Sequence, residues 1–367
     1  MAATEKSDMN IKTVAIVGCG IGRSHIVEGY LPHSDKFKVV AICDLNGERL
    51  AAVGDEFGIE RRTTSFEELL TDETIDIIDI CTPPGVHLEQ VVAALAAGKH
   101  VVCEKPLTGS LAAVDAIMEA EKTARGVLMP IFQYRYGDGI QKAKRIIDAG
   151  IAGKAYTASV ETFWLRKPEY YAVPWRGKWA TELGGVLVTH ALHLHDMLMH
   201  LMGPAARVFG RVATRVNDIE VEDCASASLL MENGAFVSLS CTLGSQEQLS
   251  RLRLHFENVT FESSHEPYTP GKDPWKIIAA NDDVREKIDR VIADWKPVAP
   301  RFTTQMGQFH AFLSGQGPLP VTTVDARRAL ELVTAIYQSS DSGAEVPLPV
   351  GPDSPKYADW RARTKQR

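Results

Sequence analysis

The chain's 367 residues exceed what one hydrophobic core usually holds, so two domains are expected, and 45% hydrophobic with 24% charged residues supplies ample core. A formal net charge of −7 excludes nucleic acid as the main partner, because phosphate binding needs a basic face. No apolar stretch reaches the roughly 20 residues of a membrane span, and residues 1–10 lack the apolar core of an export signal. The six cysteines form no CxxC and read as buried small hydrophobes, which places the chain in a reducing cytoplasm.

Residues 14–17 read as a strand, followed by Gly18-Cys19-Gly20-Ile21-Gly22-Arg23 and a helix expected over 24–31. Strand, glycine turn and helix start make a phosphate cradle: the glycines let backbone N–H groups approach a pyrophosphate, and the helix dipole favours its charge. The turn is shorter than the usual GxGxxG spacing. A second strand over 37–42 ends in Cys43-Asp44. An acid there accepts hydrogen bonds from ribose hydroxyls and repels a 2′-phosphate, which favours NAD over NADP.

Helices over 46–57, from the Ser65-Phe66-Glu67-Glu68 capping box, over 86–97 and over 111–123 alternate with apolar runs at 75–80, 100–103 and 127–132. This alternation predicts a doubly wound parallel sheet with right-handed crossovers. Cys81-Thr82-Pro83 follows one run, Glu104-Lys105-Pro106 another, and Gln133-Tyr134-Arg135-Tyr136 the last. Ligands bind just beyond the carboxyl ends of such strands, so Lys105 is expected to face one.

Past Gly150 the period changes. Strands are expected over 156–164, 207–216, 223–231, 235–243 and 251–257, with Glu232-Asn233-Gly234 as a hairpin turn. The fold class is therefore α/β, with a doubly wound parallel sheet over 11–134. An α+β domain with a large, mostly antiparallel open sheet occupies 135–350, and polar tails fill 1–10 and 351–367. The open sheet needs cover on its second face, which predicts a homodimer or homotetramer. The proline-rich residues 265–301 are expected to carry a helix over 283–295 and to act as a lid or subunit contact. A last amphipathic helix is expected over 324–340.

The stretch from Gly184-Gly185 to His193 and Asp196 is the second dense site. His193 and Asp196 share a helix face at i, i+3. Zinc-protease spacing, histidines at i and i+4 around a glutamate, is absent, and no metal is expected. The alternative is an acid/base His193 oriented by Asp196, since imidazole titrates near neutral pH. His195 and His200 read as core histidines. Upstream, Trp164, Arg166, Tyr170, Tyr171, Trp175, Arg176 and Trp179 crowd together. Aromatic faces interspersed with arginine suit a polyhydroxylated ligand, with Arg176 as the first expected contact.

Together these pieces resemble the Gfo/Idh/MocA family of glucose–fructose oxidoreductase and inositol dehydrogenase relatives over residues 12–350. The carriers are the glycine turn, Asp44, Cys81-Thr82-Pro83 with His87, Glu104-Lys105-Pro106, and Gly184-Gly185 running to His193 and Asp196. The resemblance implies hydride transfer between NAD and a secondary hydroxyl of a sugar, cyclitol or sugar derivative. By it, His193 takes the hydroxyl proton and Lys105 bonds the developing alkoxide. It implies cofactor contacts from Gly18, Gly20, Ile21, Gly22, Asp44, Thr82, Pro83, His87, Glu104, Lys105, Gln133, Trp175 and Arg176. Substrate contacts are implied for Lys105, Tyr136, Trp164, Arg166, Arg176, Thr189 and His193. Thr189 stands where many relatives carry an aspartate, and a threonine hydroxyl does not titrate in the working range. Two other activities fit the same resemblance. One is a retained-NAD enzyme that oxidises a sugar transiently before cleavage or epimerisation; the other is a non-catalytic NAD-binding regulator, against which the intact Lys105 and His193 argue.

Overall fold

In the computed structural model, which describes residues 11–361, the apolar runs of the first third become a six-stranded sheet. Strands β1 (Lys12–Val17), β2 (Phe37–Cys43), β3 (Arg61–Thr63), β4 (Ile77–Ile80), β5 (His100–Cys103) and β6 (Leu128–Pro130) are all parallel, in the order β3-β2-β1-β4-β5-β6. Every residue of β4 is buried, as a parallel strand covered on both faces requires. The strand order reverses between β1 and β4, so the loops after those two strands flank the switch point where ligands bind.

Local chemistry sets the helix ends. Asn46 caps Gly47–Phe57 by accepting the Arg49 N–H at 2.9 Å, and Gly58 ends that helix at φ 63°. Ser65 accepts the Glu68 N–H at 3.4 Å to start Phe66–Leu70. The first helix departs from expectation, because it begins at Cys19 rather than at residue 24. Gly18, at φ 97°, makes the whole turn, and the Asp44 carboxylate accepts the Cys19 N–H at 2.8 Å. After Ser24 the helix widens into a π-helix over His25–Tyr30 and closes as a 3₁₀ turn over Leu31–His33.

The first compact unit takes in residues 11–108, Ala113–Ile131 and Phe302–Ala326. The expected single cut at residue 134 gives way to a discontinuous division. Helix Phe302–Leu313 returns to pack on the π-helix, where Gly29 leaves room for Met306. The Thr303 hydroxyl donates to the Glu28 carbonyl at 2.5 Å, and His33 Nε2 to the Thr303 carbonyl at 2.7 Å. A return from 270 residues downstream carries no local signal.

The second unit holds Gly109–Ala112, Phe132–Arg301 and, from Arg327 on, the rest of the described chain. Its eight strands are β7 (Ala155–Leu165), β8 (Ala205–Ala213), β9 (Cys224–Met231), β10 (Phe236–Thr242), β11 (Gly244–Phe256), β12 (Val259–Glu262), β13 (Lys276–Ala279) and β14 (Val346–Pro347). They lie in the order β13-β12-β11-β7-β10-β9-β8-β14, antiparallel except for β7 with β10. Gly234, at φ 85°, turns the β9–β10 hairpin as its sequence requires. Helix Leu192–Met202 packs on β7 and β11. Residues 265–301 contribute the edge strand β13 and the helix Asp282–Val291, shorter than the one expected. The expected polar tail also needs correction as far as residue 361. Trp360 is 3% exposed and its ring centroid lies 5.5 Å from that of Tyr337, while the buried Lys356 ammonium pairs with Asp341 at 2.5 Å. Residues 1–10 and 362–367, where the other expected tail lies, fall outside the described part. No helix among the described residues is long and apolar enough to cross a membrane.

Candidate active site

In the first unit the glycine turn is built for close approach. A Cβ on Gly18 would lie 2.6 Å from the Cys81 carbonyl oxygen, and one on Gly22 would lie 2.5 Å from Ile16, so neither tolerates a side chain. A Cβ on Gly20 would meet only the Arg49 guanidinium, at 3.9 Å, and the residue is exposed, which leaves its backbone open to a ligand. Asp44 stands at the end of β2, accepting from the amides of Cys19 and Asn46 at 2.8 Å each and facing Arg49 at 3.4 Å. A turn without Cβ atoms, a helix starting on it and an acid one strand away fit the phosphates and ribose of a dinucleotide.

His87, expected at the cofactor, is fully buried, with Nε2 2.8 Å from the Thr82 carbonyl and Nδ1 3.0 Å from the Pro106 carbonyl. Burial holds its pKa below the ordinary value. It braces the loops after β4 and β5 against each other rather than presenting its ring to a ligand. Thr82 donates to Gln90 at 2.6 Å. Lys105 is half-buried one residue past Glu104, and its backbone N–H donates to the Glu104 carboxylate at 2.9 Å. Glu104 itself is 6% exposed, and its second oxygen takes His25 Nε2 at 3.0 Å, so both of its carboxylate oxygens hold neighbouring parts of the chain. Among the described residues, His25, Asp79 and Cys81 form the one cluster of metal-ligand type. His25 Nδ1 and the Asp79 carboxylate are 2.8 Å apart, the spacing of an ordinary N–H···O hydrogen bond.

In the second unit, His193 is 4% exposed, stacked on Tyr134 with ring centroids 4.1 Å apart and edge-on to Phe132 at 6.2 Å. Gln133 and Tyr136, on either side of Tyr134 and Arg135 in the chain, are also buried. Asp196, expected to orient His193, forms a two-pronged ion pair with Arg135, one arm at 2.6 Å. His195 is fully buried with neither ring nitrogen hydrogen-bonded, and burial pushes its pKa down to about 3, which makes it a neutral core ring as expected.

Thr189 and Arg166, expected at the substrate, are joined through His190. Arg166 Nε donates to His190 Nε2 at 3.0 Å, so the ring proton sits on Nδ1, 2.6 Å from the Thr189 hydroxyl. That hydroxyl in turn donates to the Gly185 carbonyl at 2.7 Å. The Arg166 guanidinium lies over the rings of Trp164 and Tyr170 and reaches the Tyr268 hydroxyl at 3.2 Å. Arg176 lies over the rings of Tyr170 and Trp175, at 4.0 and 4.4 Å, and pairs with Glu182 at 3.3 Å. The expected first ligand contact is thus held by an internal acid.

The sequence reading missed Glu222, which builds the Gly184-Gly185 turn. Its carboxylate accepts the N–H groups of Gly185 and Leu187 at 3.0 Å each, and a Cβ on Gly185 would overlap its carbonyl oxygen. Complete burial raises its pKa to about 7, against the lowering effect of those hydrogen bonds. A folded-state value above the unfolded one means that the contribution is full below about 4.5 and is lost as pH rises through about 7. Stability should therefore fall between pH 5 and 8, and Glu222→Gln should remove roughly 3 kcal/mol of that fall. Urea unfolding at both pH values checks it; an unchanged slope in the variant contradicts the assignment.

Two parts of the chain match models of one family. Residues 12–132 match an oxidoreductase family with an NAD-binding Rossmann fold, and residues 140–262 match the GFO/IDH/MocA C-terminal domain. The chain belongs to the Gfo/Idh/MocA family, with an NAD-binding Rossmann fold over its first part. The chain is 31% identical over 227 residues to an uncharacterized oxidoreductase, YrbE, of Bacillus subtilis, covering 60% of this chain and 64% of that relative. It is 30% identical over 191 residues to myo-inositol 2-dehydrogenase of Thermotoga maritima, covering 52% of this chain and 54% of that enzyme. Those matches span only about half to two-thirds of the relatives' lengths. Among solved structures, the WlbA dehydrogenase of Bordetella pertussis, in complex with NADH and UDP-GlcNAcA, superposes with a TM-score of 0.82 at 29% identity. It covers 93% of this chain and 99% of that one.

Proposed function

We propose that the protein is an NAD-dependent dehydrogenase acting on a secondary hydroxyl of a sugar, cyclitol or sugar derivative. The observation that carries this reading is Lys105, half-buried at the carboxyl end of β5 in the same sheet as the Gly18 turn and Asp44. Gly18, Gly20, Ile21 and Gly22 would hold the pyrophosphate, and Asp44 the ribose. The bound nicotinamide supplies the hydride acceptor. His193 takes the proton of the substrate hydroxyl, and the Lys105 ammonium bonds the oxygen as negative charge grows on it. The names of the Thermotoga maritima and Bordetella pertussis relatives support a sugar or cyclitol class of substrate. Self-association through the outer face of the second sheet, where Phe209 and Phe236 are exposed, accompanies this reading.

The test is NADH formation by the purified protein with excess NAD across a panel of sugars and cyclitols, counted per protomer. Many equivalents with one compound class are expected. A halt at about one equivalent while product accumulates would mean that the hydride is returned, and no NADH with any compound would count against catalysis. The same assay checks the cofactor: kcat/KM with NAD should exceed that with NADP, and Asp44→Ala should narrow the gap.

A further inference from the structure

We propose that His25 is a positioning residue for Lys105: its ring, donating from both nitrogens, clamps Glu104, and Glu104 in turn holds the Lys105 backbone. This rests on the reading of Lys105 as the group that meets the substrate oxygen.

The chain of contacts is short and buried. His25 Nδ1 lies 2.8 Å from the Asp79 carboxylate and Nε2 lies 3.0 Å from the Glu104 carboxylate, with His25 and Asp79 at 0% exposure and Glu104 at 6%. Ionised carboxylates only accept, so both ring nitrogens must carry protons. The other oxygen of Glu104 accepts the Lys105 N–H at 2.9 Å. Pro106 follows immediately and offers no N–H, so this hydrogen bond fixes the backbone where Lys105 leaves the strand. The groups facing His25 are Asp79 and Cys81 from β4 and its end, Glu104 after β5, and the non-titrating Phe302 ring at 4.4 Å. Burial is the largest single effect and opposes charge on the ring, but Asp79 and Cys81, through charge and hydrogen bonds together, outweigh it, and the His25 pKa stands well above the usual value. Glu104 is held low despite its own burial by the His25 hydrogen bond and by the charges of His25 and Lys105.

The π-helix gives the arrangement its geometry. His25 and Tyr30 both reach the same Asp79 oxygen, each at 2.8 Å. On an α-helix two residues five apart point about 140° away from each other, whereas the wider i→i+5 turn brings them onto one face. The unusual segment is therefore what delivers a doubly anchored imidazolium beneath the Lys105 loop.

Two measurements test the proposal. Nitrogen-15 NMR of histidine-labelled protein, with His25 assigned from the His25→Gln spectrum, should show both ring nitrogens protonated at pH 8; a neutral ring overturns it. In steady-state kinetics, His25→Gln and Glu104→Gln should each lower kcat about 10–100-fold, the scale expected when a reacting group shifts by about 1 Å. KM for NAD should stay within about threefold, because the glycine turn is untouched. The double variant should be no slower than Glu104→Gln alone, since His25 acts through Glu104. Additive losses, or a wild-type kcat in His25→Gln while Lys105→Ala is inactive, would overturn this inference alone. Activity retained in Lys105→Ala would instead remove the reading beneath it.

Discussion

Lys105→Ala is expected to lower kcat by about 10²–10³-fold, the cost of removing one donor aimed at a developing oxyanion. The backbone at this position is held by the Lys105 N–H on Glu104 and by the Pro106 carbonyl on His87, neither of which uses the lysine side chain. The variant's loss should therefore be in turnover. His193→Asn should cost about 10²–10⁴-fold, the range of a lost general acid–base group. If either variant keeps more than half of the parent's kcat on the substrate identified by NADH formation, that residue's assigned role is wrong. Lys105→Arg should stay impaired, because a forked guanidinium cannot take the place of a compact ammonium at one oxygen.

What the sequence revealed and what it hid divides by distance along the chain. The glycine turn, Asp44 at the end of β2, the Ser65 cap and the Gly234 hairpin all show themselves within a few residues, through glycine's positive φ or a short polar side chain. The mostly antiparallel second sheet was visible as alternation, and its burial repeats that alternation along β7 to β11. The supporting layer was not visible. His25 meets Glu104 from 79 residues away, Glu222 meets Gly185 from 37, and Arg135 meets Asp196 from 61. Nor does the sequence around His25 forecast a π-helix, whose geometry follows from partners on two other strands. His190 was the near miss. It lay within the stretch singled out, but the pairing of its ring with Arg166 depends on β7 reaching it.

The largest effect on stability is expected at the Arg135–Asp196 pair. Arg135 is 5% and Asp196 1% exposed, and the carboxylate meets the guanidinium through two parallel hydrogen bonds. Asp196→Ala strips this carboxylate from a guanidinium that water cannot reach, and breaking such a pair costs about 3–5 kcal/mol. The urea midpoint should fall accordingly with an unchanged slope. Replacing both partners, as Arg135→Met with Asp196→Leu, should recover most of that loss, because two apolar side chains need no compensation in the interior. Catalysis should not recover with it. Arg135 lies between Tyr134, which stacks on His193, and Tyr136, while Asp196 is one helical turn beyond His193. The pair therefore ties the two segments that carry the catalytic ring and its stacking partner, and an apolar replacement packs without fixing their register. A double variant that regains stability while kcat stays low would separate the two roles of this ion pair. One that regains both would show that packing alone aligns His193.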